Sequence, residues 1–241
     1  MITDIETYLN SLSKVKDILI LDISSMGIDS LPDLTRFTNL EILDCDNNQL
    51  TCLPTLPSNL KILYCSNNKL TCLNDLTRFV NLETVACSCN QLTCLPDLTR
   101  FVNLETLHCS GNHLTYLPDL PQNIKTLHCS GNQLTSLPDL TRFTNLQKLA
   151  CDNNQLTLLP TFPENLKVLI CDMNQLTLLP ELTRFVNLET LACSYNQLTS
   201  LPTLPQNLKV LYCSDNQLTS LPSLPQNLKK LYCYDNPIDK K

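Results

Sequence analysis

Residues 211–236 read LYCSDNQLTSLPSLPQNLKKLYCYDN, and the phrase LYCSDNQL returns as LYCYDNPI after 20 residues. The same phrase can be followed back through the chain. With Leu40 as position 1 of a unit, Leu43, Cys45, Asn48, Leu50, Leu53 and Pro54 take positions 4, 6, 9, 11, 14 and 15. Further units begin at Leu60, Leu82, Leu104, Ile124, Leu146, Leu166, Leu188, Leu208 and Leu228, and an imperfect one begins at Ile18. Successive starts lie 20 or 22 residues apart. Self-similarity at such a period is read before any other fold signal. Positions 4 and 6 alternate with 3 and 5, the period of a strand with one buried face. Leucines at positions 1, 4, 11 and 14 come from all around a coil and meet inside it. One unit cannot bury them alone, so neighbouring units must stack.

The unit pattern, L-x-x-L-x-C-x-x-N-x-L-T-x-L-P, resembles the leucine-rich repeat signature from residue 18 to 236. That resemblance implies an α/β-type solenoid: an arc of about eleven coils with one short parallel strand per coil on the concave side. Its convex side would be extended or 3₁₀. The short return segments are similar to those in repeat domains of secreted bacterial effectors. The CSxNQLTxLP phrasing is similar to leucine-rich repeat proteins of giant amoeba-infecting viruses.

Asn at position 9 suits a tight turn, because its amide can satisfy buried backbone groups. Stacked asparagines would form a ladder, and Met26 in the first unit breaks it. Two return segments alternate. The short one, LPxLPxN as at 201–207, carries two prolines three apart and favours an extended path. The long one, LPDLTRFxN as at 95–103, is expected to make a helical or 3₁₀ turn. It adds Phe37, Phe79, Phe101, Phe143 and Phe185 to the core.

The ends differ from the middle. Residues 1–17 read as a helical cap, with Thr3 and Glu6 at capping-box spacing. Ile5, Tyr8, Leu9, Leu12 and Val15 follow a helical period. Residues 18–236 form the repeat array, and 237–241 a short tail.

The chain has 241 residues, 43% hydrophobic and 17% charged, with a net charge of −6. An acidic balance argues against a nucleic-acid groove, which needs clustered Lys and Arg. No run of 18 apolar residues marks a membrane span. The first residues lack the blocks of a signal peptide, and no Asn-x-Ser/Thr sequon occurs. A cytoplasmic location is therefore expected, in a host cell if the protein is viral or an effector.

Ten of the 14 cysteines sit at position 6, facing the core as small hydrophobes. They are expected to form a buried, inert thiol column suited to a reducing compartment. Cys52, Cys72 and Cys94 share position 13, and Cys89 is at position 8. No His or carboxylate completes a metal site around them. His108 and His128 share position 5, and His113 lies in a turn, again without further ligands. Arg36, Arg78, Arg100, Arg142 and Arg184 each follow an acidic residue by three, as in Asp97 to Arg100, which reads as local ion pairing. No base-and-nucleophile set stands out from the repeat, and three glycines cannot build a phosphate loop. No cofactor, metal or catalytic residue is expected.

Positions 3, 5, 7 and 8 should face the concave side, where their identity is free to suit a ligand. Their bulky residues concentrate late in the chain: Ile170, Met173, Tyr195, Tyr212, Tyr232 and Tyr234, with Asp172, Asp215 and Asp235 among them. Tyrosines ringed by polar groups are typical interaction anchors. The expected partner-binding set is Ile170, Asp172, Met173, Tyr195, Tyr212, Asp215 and Tyr232. The function expected is a non-catalytic protein-binding scaffold, whose partner would be a host protein if the chain is viral or an effector. The protein would be a monomer or a weak end-to-end dimer. The alternative is the recognition half of an effector enzyme, such as a ubiquitin ligase, whose catalytic domain lies outside this chain. An extracellular receptor fragment is the third class.

Overall fold

A computed structural model of the chain describes residues 4–73, 76 and 79–238. Thr3, Arg78 and residues 239–241 of the expected tail lie outside the described residues. The chain forms two compact units. The first comprises residues 1–114 with 118–121, and the second residues 115–117 with 122–241.

The first unit opens with helix α1, Ile5–Ser11. Its N-cap is Asp4, whose carboxylate accepts from the N–H groups of Glu6 and Thr7. The helix is shorter than its apolar period allows. It stops at Leu12, and Lys14 takes a left-handed backbone with φ 53° before a separate 3₁₀ turn, Val15–Asp17. Leu9 is fully buried beneath it. The Arg36 guanidinium donates to Asn10 Oδ1 at 2.6 Å, and Asn39 Nδ2 donates to the Lys16 carbonyl at 2.8 Å. These bonds tie the opening segment to the repeats. No helix among the described residues is long and apolar enough to cross a membrane.

Five parallel strands follow in sequence order: β1 Ile20–Asp22, β2 Ile42–Asp44, β3 Ile62–Tyr64, β4 Thr84–Ala86 and β5 Thr106–His108. The second unit holds six more: β6 Thr126–His128, β7 Lys148–Ala150, β8 Val168–Ile170, β9 Thr190–Ala192, β10 Val210–Tyr212 and β11 Lys230–Tyr232. Each strand covers positions 3 to 5 of a repeat. The central leucine or valine points inward; Leu43, Leu169 and Leu211 have no exposed surface. Residues at 3 and 5 face outward on either side of it. The strands are short because the chain turns sharply three residues later. Position 8 has a positive φ, as at Asn47 (57°), Gly131 (61°) and Asp215 (54°), and no strand passes through that conformation.

Position 9 then closes each turn. In the first unit Asn68 Nδ2 donates to the carbonyls of Cys45, Cys65 and Ser66 at 2.9, 3.3 and 3.1 Å, and its Oδ1 accepts from Leu50 N–H at 2.9 Å. In the second unit Asn174 repeats this with Cys151, Cys171, Asp172 and Leu156. The side chain thus links its own turn to the preceding one. Among the described residues, no buried side-chain nitrogen or oxygen lacks a partner. At the expected break in the ladder, the backbone N–H of Met26 donates to Asn48 Oδ1 at 3.1 Å.

A second row of asparagines runs along the return side. Asn59 Nδ2 donates to the Thr38 carbonyl at 2.8 Å, and Asn207 Nδ2 to that of Val186 at 2.7 Å. The long return makes two successive i→i+3 hydrogen-bonded turns, the 3₁₀ kind expected. In it Phe37 N–H donates to Leu34 O and Leu40 N–H to Phe37 O. The phenylalanines between these turns are buried, and so is Phe162, which replaces a leucine in a short return. The aspartate of the DLTR phrase serves the turn first. Asp97 Oδ1 accepts from the N–H and hydroxyl of Thr99, which with lesser help from Arg100 holds its carboxyl below the usual range. Arg184 pairs across turns with Glu164 at 3.3 Å, and Arg36 lies over the Phe37 ring at 5.2 Å.

Candidate functional site

The position-6 cysteines lie behind the strands, and those from Cys45 to Cys213 are fully buried. Cys233, in the last turn, is half-exposed. Burial, with help from nearby carboxylates, pushes the Cys45 thiol up to about 12; burial, with help from Cys233, raises Cys213 to about 12. Protonated thiols can donate. Cys45 Sγ reaches the Tyr64 carbonyl at 3.2 Å, and Cys171 Sγ that of Ala192 at 3.2 Å. The same carbonyls accept from the cysteine N–H groups. The column is thus part of the stacking hydrogen-bond pattern and is chemically quiet. Cys52, Cys89 and Cys94 are exposed and Cys72 is half-exposed, all in the first unit. Among the described residues, no three His, Cys, Asp or Glu side chains are grouped to hold a metal ion. His108 ends β5, and partial burial lowers its pKa; His128 ends β6.

The bulky outward residues of the second unit fall on β8 to β11 and the loops after them. Register pairs Ile170 with Ala192, Ala192 with Tyr212, and Tyr212 with Tyr232. The two tyrosine rings stack, with centroids 4.8 Å apart and planes 10° apart. Tyr234 meets Tyr232 edge-on at 6.3 Å. Ala192, only 5% exposed, is the small residue in register between Ile170 and the stacked pair.

Position 8 differs from the sequence expectation. Its backbone is constrained, since every repeat holds it left-handed. Asn, Gly and Asp tolerate that backbone, which explains Asn47, Asn67, Gly111, Asn153 and Asp235. Gly111 also packs closely: a Cβ there would lie 3.2 Å from Cys89 Sγ. Met173 at φ 53° and Tyr195 at φ 54° gain nothing locally from the conformation, yet their side chains are 53% and 57% exposed. These are large side chains held at a backbone cost and turned to solvent. Beside them, the Asp215 carboxylate raises the Tyr195 phenol by its charge and by accepting its hydrogen bond. Asp172 accepts from the Ser194 N–H at 2.5 Å. Burial, reinforced by Asp152, raises its carboxyl to about 6 against that bond.

The structure therefore brings Ile170, Tyr212 and Tyr232 together on the strand face. Asp172, Met173, Tyr195 and Asp215 line the loop edge beside it. Ala192 was missed by the sequence reading, since a small residue is informative only once its larger neighbours are known. No nucleophile, base and orienting group converge on this face; its chemistry is that of shape, aromatic area and charge.

Comparison with known proteins agrees with this architecture. The family described as leucine-rich repeats (2 copies) matches residues 58–100, 122–164 and 206–240. Single leucine-rich repeats match residues 39–60 and 103–124. The chain belongs to the leucine-rich repeat family, an interaction fold that is generally non-catalytic. Among solved structures it is similar to YopM, a leucine-rich effector protein from Yersinia pestis. Identity is 37% and the TM-score 0.84, over 90% of this chain and 62% of that one. YopM from Yersinia enterocolitica is 33% identical with a TM-score of 0.60, over 92% of this chain and 56% of that one. The functional domain of InlJ from Listeria monocytogenes, which includes a cysteine ladder, is 27% identical. Its TM-score is 0.78, over 92% of this chain and 54% of that one. The chain thus spans less than two thirds of the length of each. No curated protein matches it by sequence.

Proposed function

We propose that this chain is a non-catalytic module that binds a protein partner on the outward, concave face of the second unit's strands, centred on Tyr212 and Tyr232. The observation that carries the reading is the stacked tyrosine pair, bordered by large residues kept at left-handed positions. Stacked rings offer apolar area with few rotamers to freeze, as interaction anchors do. Likeness to YopM supports an effector-like role on a host protein. The row of unbridged thiols suits a reducing cytoplasm.

The test is a paired capture from candidate host cytosol, quantified by mass spectrometry, with wild type and the Tyr212→Ala, Tyr232→Ala double variant as baits. A partner held by wild type and lost by a folded double variant is the expected result. Equal capture by both baits places the site elsewhere.

A further inference from the structure

The strand face of the second unit is flanked by two rows of opposite charge. On the upstream side, at position 2, stand Lys167, Glu189, Lys209 and Lys229, linked through their backbones: Glu189 N–H donates to Lys167 O, Lys209 N–H to Glu189 O, and Lys229 N–H to Lys209 O. Glu189 pairs with Lys209 at 2.9 Å and is held below its usual range by that bond, with Lys167 and Lys229 contributing. Three lysines thus face one carboxylate, and the row is net positive. On the downstream side, at positions 7 and 8, stand Asp172, Asp215 and Asp235. Both rows carry their excess charge in the turns of β8, β10 and β11. Between them lie Ile170, the small Ala192 and the stacked tyrosines.

From this we infer that the partner, on the functional reading above, is an amphipathic helix lying across β8 to β11. Its basic flank sits over Asp172, Asp215 and Asp235, its acidic flank over Lys167 and Lys229, and its apolar stripe on the tyrosines and Ile170. The spacing fits. Successive strands are about 4.8 Å apart, close to the roughly 5.4 Å pitch of a helix. Side chains three or four apart on each helix flank therefore meet successive turns of the repeat. The gap between the rows is about five residues of chain, at most roughly 16 Å, which a helix about 10–12 Å wide with charged side chains on both flanks bridges. A helix with one sign of charge on both flanks would be repelled along one row.

Three synthetic helical peptides sharing one leucine and phenylalanine stripe test this, read by fluorescence anisotropy at low salt. One carries lysines on one flank and glutamates on the other, one has lysines on both, and one has glutamates on both. The mixed peptide is expected to bind at least about tenfold more tightly than either other. The Asp172→Asn, Asp215→Asn variant should lose the preference for mixed over all-glutamate. The Lys167→Gln, Lys229→Gln variant should lose that over all-lysine. Equal binding of all three, or of none, overturns the helix assignment. If binding is equal but falls in Tyr212→Ala, the concave-face reading survives. If any peptide binds Tyr212→Ala as tightly as wild type, that reading fails too.

Discussion

The two units share a scaffold and differ in what they show to solvent. Inward rows are nearly interchangeable: Leu43 and Leu169, Cys65 and Cys171, Asn68 and Asn174 occupy matching positions with matching bonds. Outward, the first unit presents Asp22, Asp44, Tyr64, Ala86 and His108 at position 5, and Asn47, Asn67, Cys89 and Gly111 at position 8. The second presents Ile170, Tyr212 and Tyr232, with Met173 and Tyr195 at position 8. Acidic residues crowd the start of the first unit, whereas the second gathers lysines on one flank and aspartates on the other. Stacking energetics constrain the rows that touch neighbours and leave the outer rows to recognition.

The strongest way to break this comparison is to remove an inward group from each unit. Asn68→Ala and Asn174→Ala each leave buried backbone groups unpaired, and each should cost about 3 kcal/mol, since such a group costs ~1–3 kcal/mol. Urea unfolding measures both; a loss confined to one unit would show that the scaffolds are not equivalent. Next comes the strand face. Tyr212→Ala should weaken a captured partner by about 2 kcal/mol, roughly thirtyfold, with little change in stability. Thr106→Ala, on the matching face of the first unit, should leave binding unchanged in the same titration.

Position 8 sharpens the contrast at smaller cost. Met173→Asn should stabilise the fold by about 1 kcal/mol by relieving the left-handed backbone, while weakening the partner. Asn67→Met in the first unit should do the reverse to stability and nothing to binding. Matched chemical melts of the two variants decide it; two shifts of the same sign would refute a purely backbone cause.

The smallest effect is one of pH. Asp172, raised to about 6 by burial and by Asp152 against the Ser194 N–H, carries a charge at pH 7 that the fold disfavours. Because the folded value lies above the unfolded one, its contribution to stability grows as pH falls through 6 towards 4, and is lost as pH rises back through 6. Asp172→Asn should flatten that part of the curve between pH 7 and 5. A basic partner flank should weaken over the same window in wild type alone.

Most of the scaffold was legible in the chain itself. A 20- or 22-residue phrase with a two-residue strand period can bury its leucines only by stacking. From that followed the strands, the inward cysteines, the asparagine ladder and the outward placement of Tyr212 beside Tyr232. Such inferences succeed because they depend on local geometry and on the next copy of the same unit. The left-handed turn was partly visible in Asn47, Gly111, Gly131 and Asn153, but Met173 and Tyr195 hid it, and large residues read as free choice. The helix end at Leu12 and the role of Asp97 in its own turn depended on local bonds that compete with spacing rules. The burial of Ala192 between larger neighbours, the charge rows across β8 to β11 and the short bond from Ser194 to Asp172 needed the stacked turns. Each is a relation between residues 20 or more apart, whose meaning arises only when packing brings their backbones to hydrogen-bonding distance.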